Sequence, residues 1–118
     1  MRKFITLEET PVQRKEHNHN GRSYVICHRL MHEHEFATSV DFIDFALIPP
    51  NSTIGYHEHE GNEEIYFIVS GSPLVGVDGE KRRLKKGDIS VVRSGQRHGL
   101  ENDTSSNVEI LVIQVRLQ

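Results

Sequence analysis

The chain of 118 residues has no tryptophan, two alanines, one cysteine and no long apolar run. Each shortage excludes something. With Cys27 alone, no intrachain disulfide can form, which fits a reducing compartment and a cytoplasmic location. The best unbroken apolar run, residues 65 to 69, falls far short of the ~20 apolar residues of a membrane helix, so no membrane partner is expected. The opening Met1-Arg2-Lys3-Phe4-Ile5-Thr6-Leu7-Glu8-Glu9 turns acidic before any apolar segment forms, and no secretory signal peptide is expected from it. A net charge of −3 gives no broad basic footprint, which argues against a nucleic-acid partner. The length suits one domain over 1–118, since domains usually need roughly 100–150 residues to bury an adequate core.

What the chain does have is valine and isoleucine, 21 in all against 10 alanines and leucines together. β-Branched side chains suit a pleated, half-buried surface and alanine is the best helix former, so the balance points to β structure. Short apolar runs alternate with turn residues along the whole chain. Strands are predicted over 4–7, 24–30, 40–48, 54–59, 64–69, 74–77, 81–84 and 89–93, then toward His98 and over 108–117. Pro49-Pro50 stops the third strand, because proline supplies no ladder donor. Asp78-Gly79 is a two-residue hairpin signal. Gln13 to Ser23 and Met31 to Ser39 read as polar loops. The sum is an all-β barrel or double-sheet jelly roll, with an N-terminal strand and loops over 1–39 and the barrel over 40–118. Lys81, Arg82, Arg83, Lys85 and Lys86 form the one basic cluster, and with no aromatic platform beside it the cluster reads as a solvated hairpin end.

Eight histidines stand out, and several cluster. His57 and His59 are two apart on a predicted strand, so they share a face with Cα atoms about 6.5–7 Å apart. Glu64 follows on the next strand of a hairpin, where a carboxylate can face the same point. His98 ends a later strand. Three imidazoles and one carboxylate suit one divalent transition metal (Mn, Fe, Co, Ni, Cu or Zn) and leave up to two octahedral positions open. A lone His-x-His is more often a pair of surface or interior histidines than a ligand pair, so the neighbouring residues decide.

Those neighbours resemble the cupin superfamily. Its first motif runs glycine, five residues, His-x-His, three or four residues, Glu, six residues, Gly; here His57-Glu58-His59, Glu64 and Gly71 keep that spacing. Its second motif runs Gly, five residues, Pro-x-Gly, two residues, His, three residues, Asn; here Gly87, Arg93-Ser94-Gly95, His98 and Asn102 keep it. Two residues depart. Asn51 stands for the opening glycine and tolerates turn conformations. Arg93 replaces the proline and puts a cation near the barrel mouth, to meet either an anionic substrate or a surface carboxylate. Glu63 rivals Glu64, but alternation from Glu64 turns Tyr66 and Ile68 inward and Phe67 outward, which favours Glu64. The resemblance implies a double-stranded β-helix, or jelly-roll barrel, holding one metal on His57, His59, Glu64 and His98.

Met31-His32-Glu33-His34-Glu35 echoes the first motif, yet Ser39 stands where its carboxylate would be. His32 and His34 therefore read as loop residues, as do His17, His19 and His28. Tyr66 is a candidate hydrogen-bond donor to substrate, and Gln114 faces either the cavity or an interface. Gln96 lies near the rim, Asn102 serves loop backbone, and Cys27 is a small core residue. The expected function is a metal-dependent enzyme on a small carboxylate- or carbonyl-bearing molecule, by dioxygenase, decarboxylase, isomerase or lyase chemistry. The alternative is a non-catalytic cupin that senses a small molecule through a partner protein. Exposed sheet edges, including the strand expected over 4–7, point to a homodimer.

Overall fold

Alternating apolar residues and strong turn signals produce ten strands. The computed structural model describes residues 1–118. The strands are β1 (Gln13–Glu16), β2 (Tyr24–Met31), β3 (Val40–Ile48), β4 (Ser52–Glu58), β5 (Asn62–Ser70), β6 (Leu74–Val77), β7 (Glu80–Arg83), β8 (Ile89–Val92), β9 (Arg97–Asn102) and β10 (Val108–Arg116). A six-stranded sheet in the order β1-β2-β3-β10-β5-β8 faces a four-stranded sheet in the order β4-β9-β6-β7. All pairings are antiparallel, as in a jelly roll. No helix is long and apolar enough to cross a membrane.

The core lies between the sheets. Ala46, Ile48, Ile68, Ile110 and Val108 from the large sheet meet Ile54, Val75 and Leu100 from the small one. Phe67 is exposed between buried Tyr66 and Ile68, the period-2 alternation of a strand with one wet face. The Asp78-Gly79 hairpin forms with both residues at positive φ (48° and 88°), the backbone of a primed turn. Asn51 also takes a left-handed φ of 59°, so it does the conformational work of the glycine it replaces. The basic hairpin strand β7 is exposed throughout, and Arg83 there forms an ion pair with Asp103.

The N-terminal region departs from expectation. Residues 4–7 form no strand: a turn closes there through Thr10 N–H donating to Leu7 O at 3.1 Å, and Phe4 stays 87% exposed. The first strand is instead polar Gln13–Glu16, which a scan for apolar alternation passes over. It pairs with β2 in register Gln13↔Cys27 and Lys15↔Val25, and Arg14 lies over the Tyr24 ring at 3.7 Å. Two 3-10 turns, Asn18–Asn20 and Glu33–Glu35, occupy the polar intervals.

Candidate metal centre

The β4–β5 connection, which crosses from the small sheet to the large one instead of folding back as the expected hairpin, brings three of the four expected ligands together. His57 and His59 lie at the end of β4 and in the turn after it, and Glu64 rises on β5. The fourth, His98, sits opposite His57 in the β4–β9 register. Glu64 is buried, whereas the Glu63 side chain is 44% exposed and points to Arg93, so the carboxylate that alternation turns inward is the one that joins the cluster. His59, Glu64 and His98 are all buried and His57 is half-buried.

Their donor atoms converge. His59 Nε2 lies 3.1 Å from His57 Nε2 and 3.1 Å from His98 Nε2. Glu64 Oε1 is 3.1 Å from His98 Nε2 and 3.5 Å from His59 Nε2, and one donor atom from each residue falls within 4.8 Å of all the others. Two nitrogens each about 2.1 Å from a common ion and at right angles to each other would be about 3.0 Å apart. The outer ring atoms say the same. His57 Nδ1–H donates to Gly55 O at 2.6 Å. His59 Nδ1–H donates to Asn62 Oδ1 at 2.6 Å, an amide orientation fixed because its Nδ2 donates to Glu60 O. With the proton on Nδ1, the Nε2 lone pairs of neutral His57 and His59 point at the common centre, where a cation would relieve their mutual repulsion; buried His98 Nδ1 has no protein partner. These outer partners are how metal-binding histidines are commonly held in one tautomer and orientation. The set fits one divalent transition metal.

Electrostatics agree. Burial lowers the His57 imidazole from 6.5 to about 4, keeping it neutral at physiological pH. The Glu64 hydrogen bond raises His59 against its burial. Burial alone would raise Glu64, yet hydrogen bonds from His59 and His98 and their attraction hold it at about 2. Stability should follow. Below its unfolded value of 6.5 the unfolded His57 binds a proton that the folded residue refuses until about 4, so acidification across that window favours unfolding. His59, with a raised value, contributes fully below 6.5, and Glu64 loses its contribution only as pH falls from 4.5 toward about 2. Thermal melts of chelator-treated protein should therefore fall between pH 6.5 and about 4, and His57→Gln should flatten that slope. An unchanged slope in that variant would assign the loss elsewhere.

A cavity of about 250 Å³ adjoins the cluster, with His59, Glu64, Tyr66, Gln114 and Cys27 in its wall. Tyr66 is 2% exposed and its hydroxyl lies 3.2 Å from His98 Nε2; burial raises its phenol well above 10, so it remains protonated. Gln114, opposite Glu64 in the sheet register, lines the cavity while its Nε2 donates to Asp41 at 2.9 Å. Cys27 is part of the core and also meets the cavity. Of the two alternatives for Arg93, the structure has it exposed and 4.0 Å from the surface carboxylate of Glu63, and it does not line this cavity. The turn that lost its proline is closed by Gln96, whose Oε1 accepts from Arg93 N–H and whose carbonyl accepts from His59 N–H. Buried Asn102 donates to Ile48 O and Ser106 O and accepts from Thr104, so it holds loop backbone.

His19 was expected to be an ordinary loop residue, and it is not. Its ring stacks on His57 with centroids 3.6 Å apart and planes 10° apart, and it joins the cavity wall. The turn carrying it has three left-handed residues, His17, His19 and Asn20. The other expected loop histidines, His17, His28, His32 and His34, do not join the ligand cluster.

Similar proteins share this frame. An oxalate-binding protein of Thermotoga maritima is 36% identical over 70 residues, 59% of this chain and 58% of that protein. The chain thus aligns with little over half the length of that relative. An uncharacterized protein of Methanocaldococcus jannaschii is 31% identical over 73% of this chain and 69% of its own length. The crystal structure of a predicted oxalate decarboxylase from Thermotoga maritima superposes with a TM-score of 0.93 at 26% identity, covering 97% of this chain and 99% of that one. The structure of KdgF from Halomonas sp. superposes with a TM-score of 0.81 at 19% identity, covering 100% and 96% of the two chains, which is likeness of fold. The Cupin domain family itself matches residues 44–114, a stretch containing all four converging side chains and more than half of the sequence. The chain belongs to the cupins.

Proposed function

We propose that this chain is a metal-dependent enzyme that binds one divalent transition metal through His57, His59, Glu64 and His98 and acts on a small carboxylic acid. The observation that carries the reading is the convergence of four donor atoms, one of them anionic, beside a cavity of about 250 Å³. A bound ion supplies Lewis-acid or redox chemistry at its open positions. The chain's own groups do the rest. The protonated Tyr66 hydroxyl is a hydrogen-bond donor at the inner end, beside His98. Gln114, beside Glu64 on the neighbouring strand, has its nitrogen held by Asp41 and its amide oxygen left as an acceptor. His19 covers the outer face of the His57 ring and narrows the approach of water. Relatives described as oxalate-binding and as a predicted oxalate decarboxylase support a small carboxylate as the ligand.

A second reading, a binding module without turnover, draws on the same relative, whose name describes binding alone. The test combines elemental analysis with calorimetry and product detection. Reconstituted protein should hold one metal ion per chain, bind oxalate only when loaded, and consume at least one short carboxylic acid. Tight binding across a panel of such acids with no loss of any of them would select the binding module. Failure to hold metal would sink both.

A further inference from the structure

The metal-side cavity has an outward continuation that oxalate would leave empty. A second hollow, about 270 Å³, is lined by Pro11, Gln13, Lys15, Arg29 and His32, with no acidic residue in its wall. It shares Lys15 and Arg29 with the cavity beside Glu64, so the two meet along that pair. The strand register explains the arrangement. Gln13 pairs with Cys27 and Lys15 with Val25, so these side chains and Arg29, two beyond Cys27, lie on the face that turns toward the metal cluster. Polar strand β1 thereby extends the apolar barrel wall as a charged ramp.

The charges on that ramp are unequally spent. Arg29 donates from Nε and Nη2 to the buried Asp44 carboxylate at 2.8 and 3.0 Å, and its guanidinium lies over Phe42 at 4.1 Å. Its Nη1 has no partner among the protein hydrogen bonds, and Lys15 makes no ion pair. Asp44 offsets the Arg29 charge, which leaves about one uncompensated positive charge, that of Lys15, with spare N–H donors on both residues. One net positive charge matches a single carboxylate.

The spacing sets the length of the ligand. Tyr66, Val112, Asp44 and Arg29 form one row across β5, β10, β3 and β2. Strands lie about 4.8 Å apart, and Arg29 reaches back one strand to Asp44, so its guanidinium is about 10 Å from the metal end. An open chain of about six carbons, at about 1.3 Å of reach per bond, spans this once coordination and a hydrogen bond are added.

We propose that Lys15 and Arg29 form a second carboxylate site, and that the ligand of this chain is an elongated dicarboxylic acid anchored at the metal by one end. This rests on the metal reading above. Manganese-loaded protein, titrated by calorimetry with the straight-chain diacids from oxalate to suberate, should bind most tightly near adipate. Adipate should bind about 10-fold more tightly than hexanoate, the worth of one charge-assisted contact. Lys15→Gln should abolish that advantage while leaving hexanoate and oxalate affinities within about twofold. Gln13→Glu, which puts an anion in the outer hollow without touching Lys15, should weaken adipate and spare oxalate. Arg29 is left intact, since its loss would strand the buried Asp44. If manganese does not bind, both readings fall. With manganese bound, an optimum at oxalate, or equal affinity for adipate and hexanoate, overturns the second site alone.

Discussion

Glu64→Gln should cost the protein its metal while leaving its fold. The substitution keeps volume and shape but removes the one anionic donor among the four. Changes to groups that only orient metal ligands usually cost 10–100-fold in affinity, so loss of a ligand's charge should exceed about 100-fold. His98→Ala should do at least as much, because His98 is fully buried and lies within 3.1–3.2 Å of His59, Glu64 and Tyr66. The consequence reaches stability. A ligand held at a thousand times its Kd stabilises the native state by about 4 kcal/mol, so added metal should raise the melting temperature of the natural protein by on the order of 10 °C or more and of neither variant. Glu63→Gln is the matched control. Its side chain is partly exposed and 4.0 Å from Arg93, an ion pair worth at most about 1 kcal/mol. If Glu64→Gln still bound one equivalent of metal with natural affinity, the four-residue centre would be wrong.

That contrast between adjacent glutamates shows how far local pattern reaches. Strand alternation, a rule of period two, is enough to bury Glu64 and Tyr66 and to expose Phe67. Turn chemistry is equally local: Asn51 and Asp78-Gly79 adopt the positive φ that their residue types tolerate. The paired motifs therefore point to the candidate metal centre, which is built from one crossover between the sheets and the strand paired with it. The N-terminal third is different. β1 is polar because its inward face, Gln13 and Lys15, lines a cavity mouth instead of a core, so apolar alternation gives it no signature. Residues 4–7 alternate like a strand, yet Phe4 finds no apolar surface to cover it. His19 reaches His57 only through a contact between segments more than thirty residues apart in sequence. One clue was present: Gly55 interrupts a strand two residues before a ligand histidine, and glycine within a strand often marks close backbone approach.

Gly55→Ala tests that clue, and it should be the most disruptive single methyl group in the protein. A Cβ built at residue 55 would lie 1.9 Å from His19 O, 2.7 Å from His19 C and 2.9 Å from Gly21 N. All three are backbone atoms, so no side-chain rotation relieves the overlap. The turn over residues 17–21 would have to lift. That turn is tied down by Gly21 N–H to Asn18 O, His17 N–H to Ser23 O and Arg22 N–H to Thr53 Oγ1. Overpacking of a tight contact costs about 1–3 kcal/mol, and parting the His19–His57 stack adds about 0.5–1.5 kcal/mol. A melting temperature lower by roughly 5–15 °C is expected. Gly76→Ala supplies the contrast, also on a strand of the small sheet: its Cβ would meet nothing closer than 3.7 Å, ordinary van der Waals contact. There the lost freedom of the unfolded chain should leave stability unchanged or raise it by about 0.4–1 kcal/mol. The site should respond in step with the fold. Freed of His19, the His57 ring loses part of the burial that keeps it neutral, so its titration should move up from about 4 toward 6.5, readable by proton NMR of the metal-free protein. Equal melting temperatures for the two alanine variants would mean that the His19 turn is not seated on Gly55.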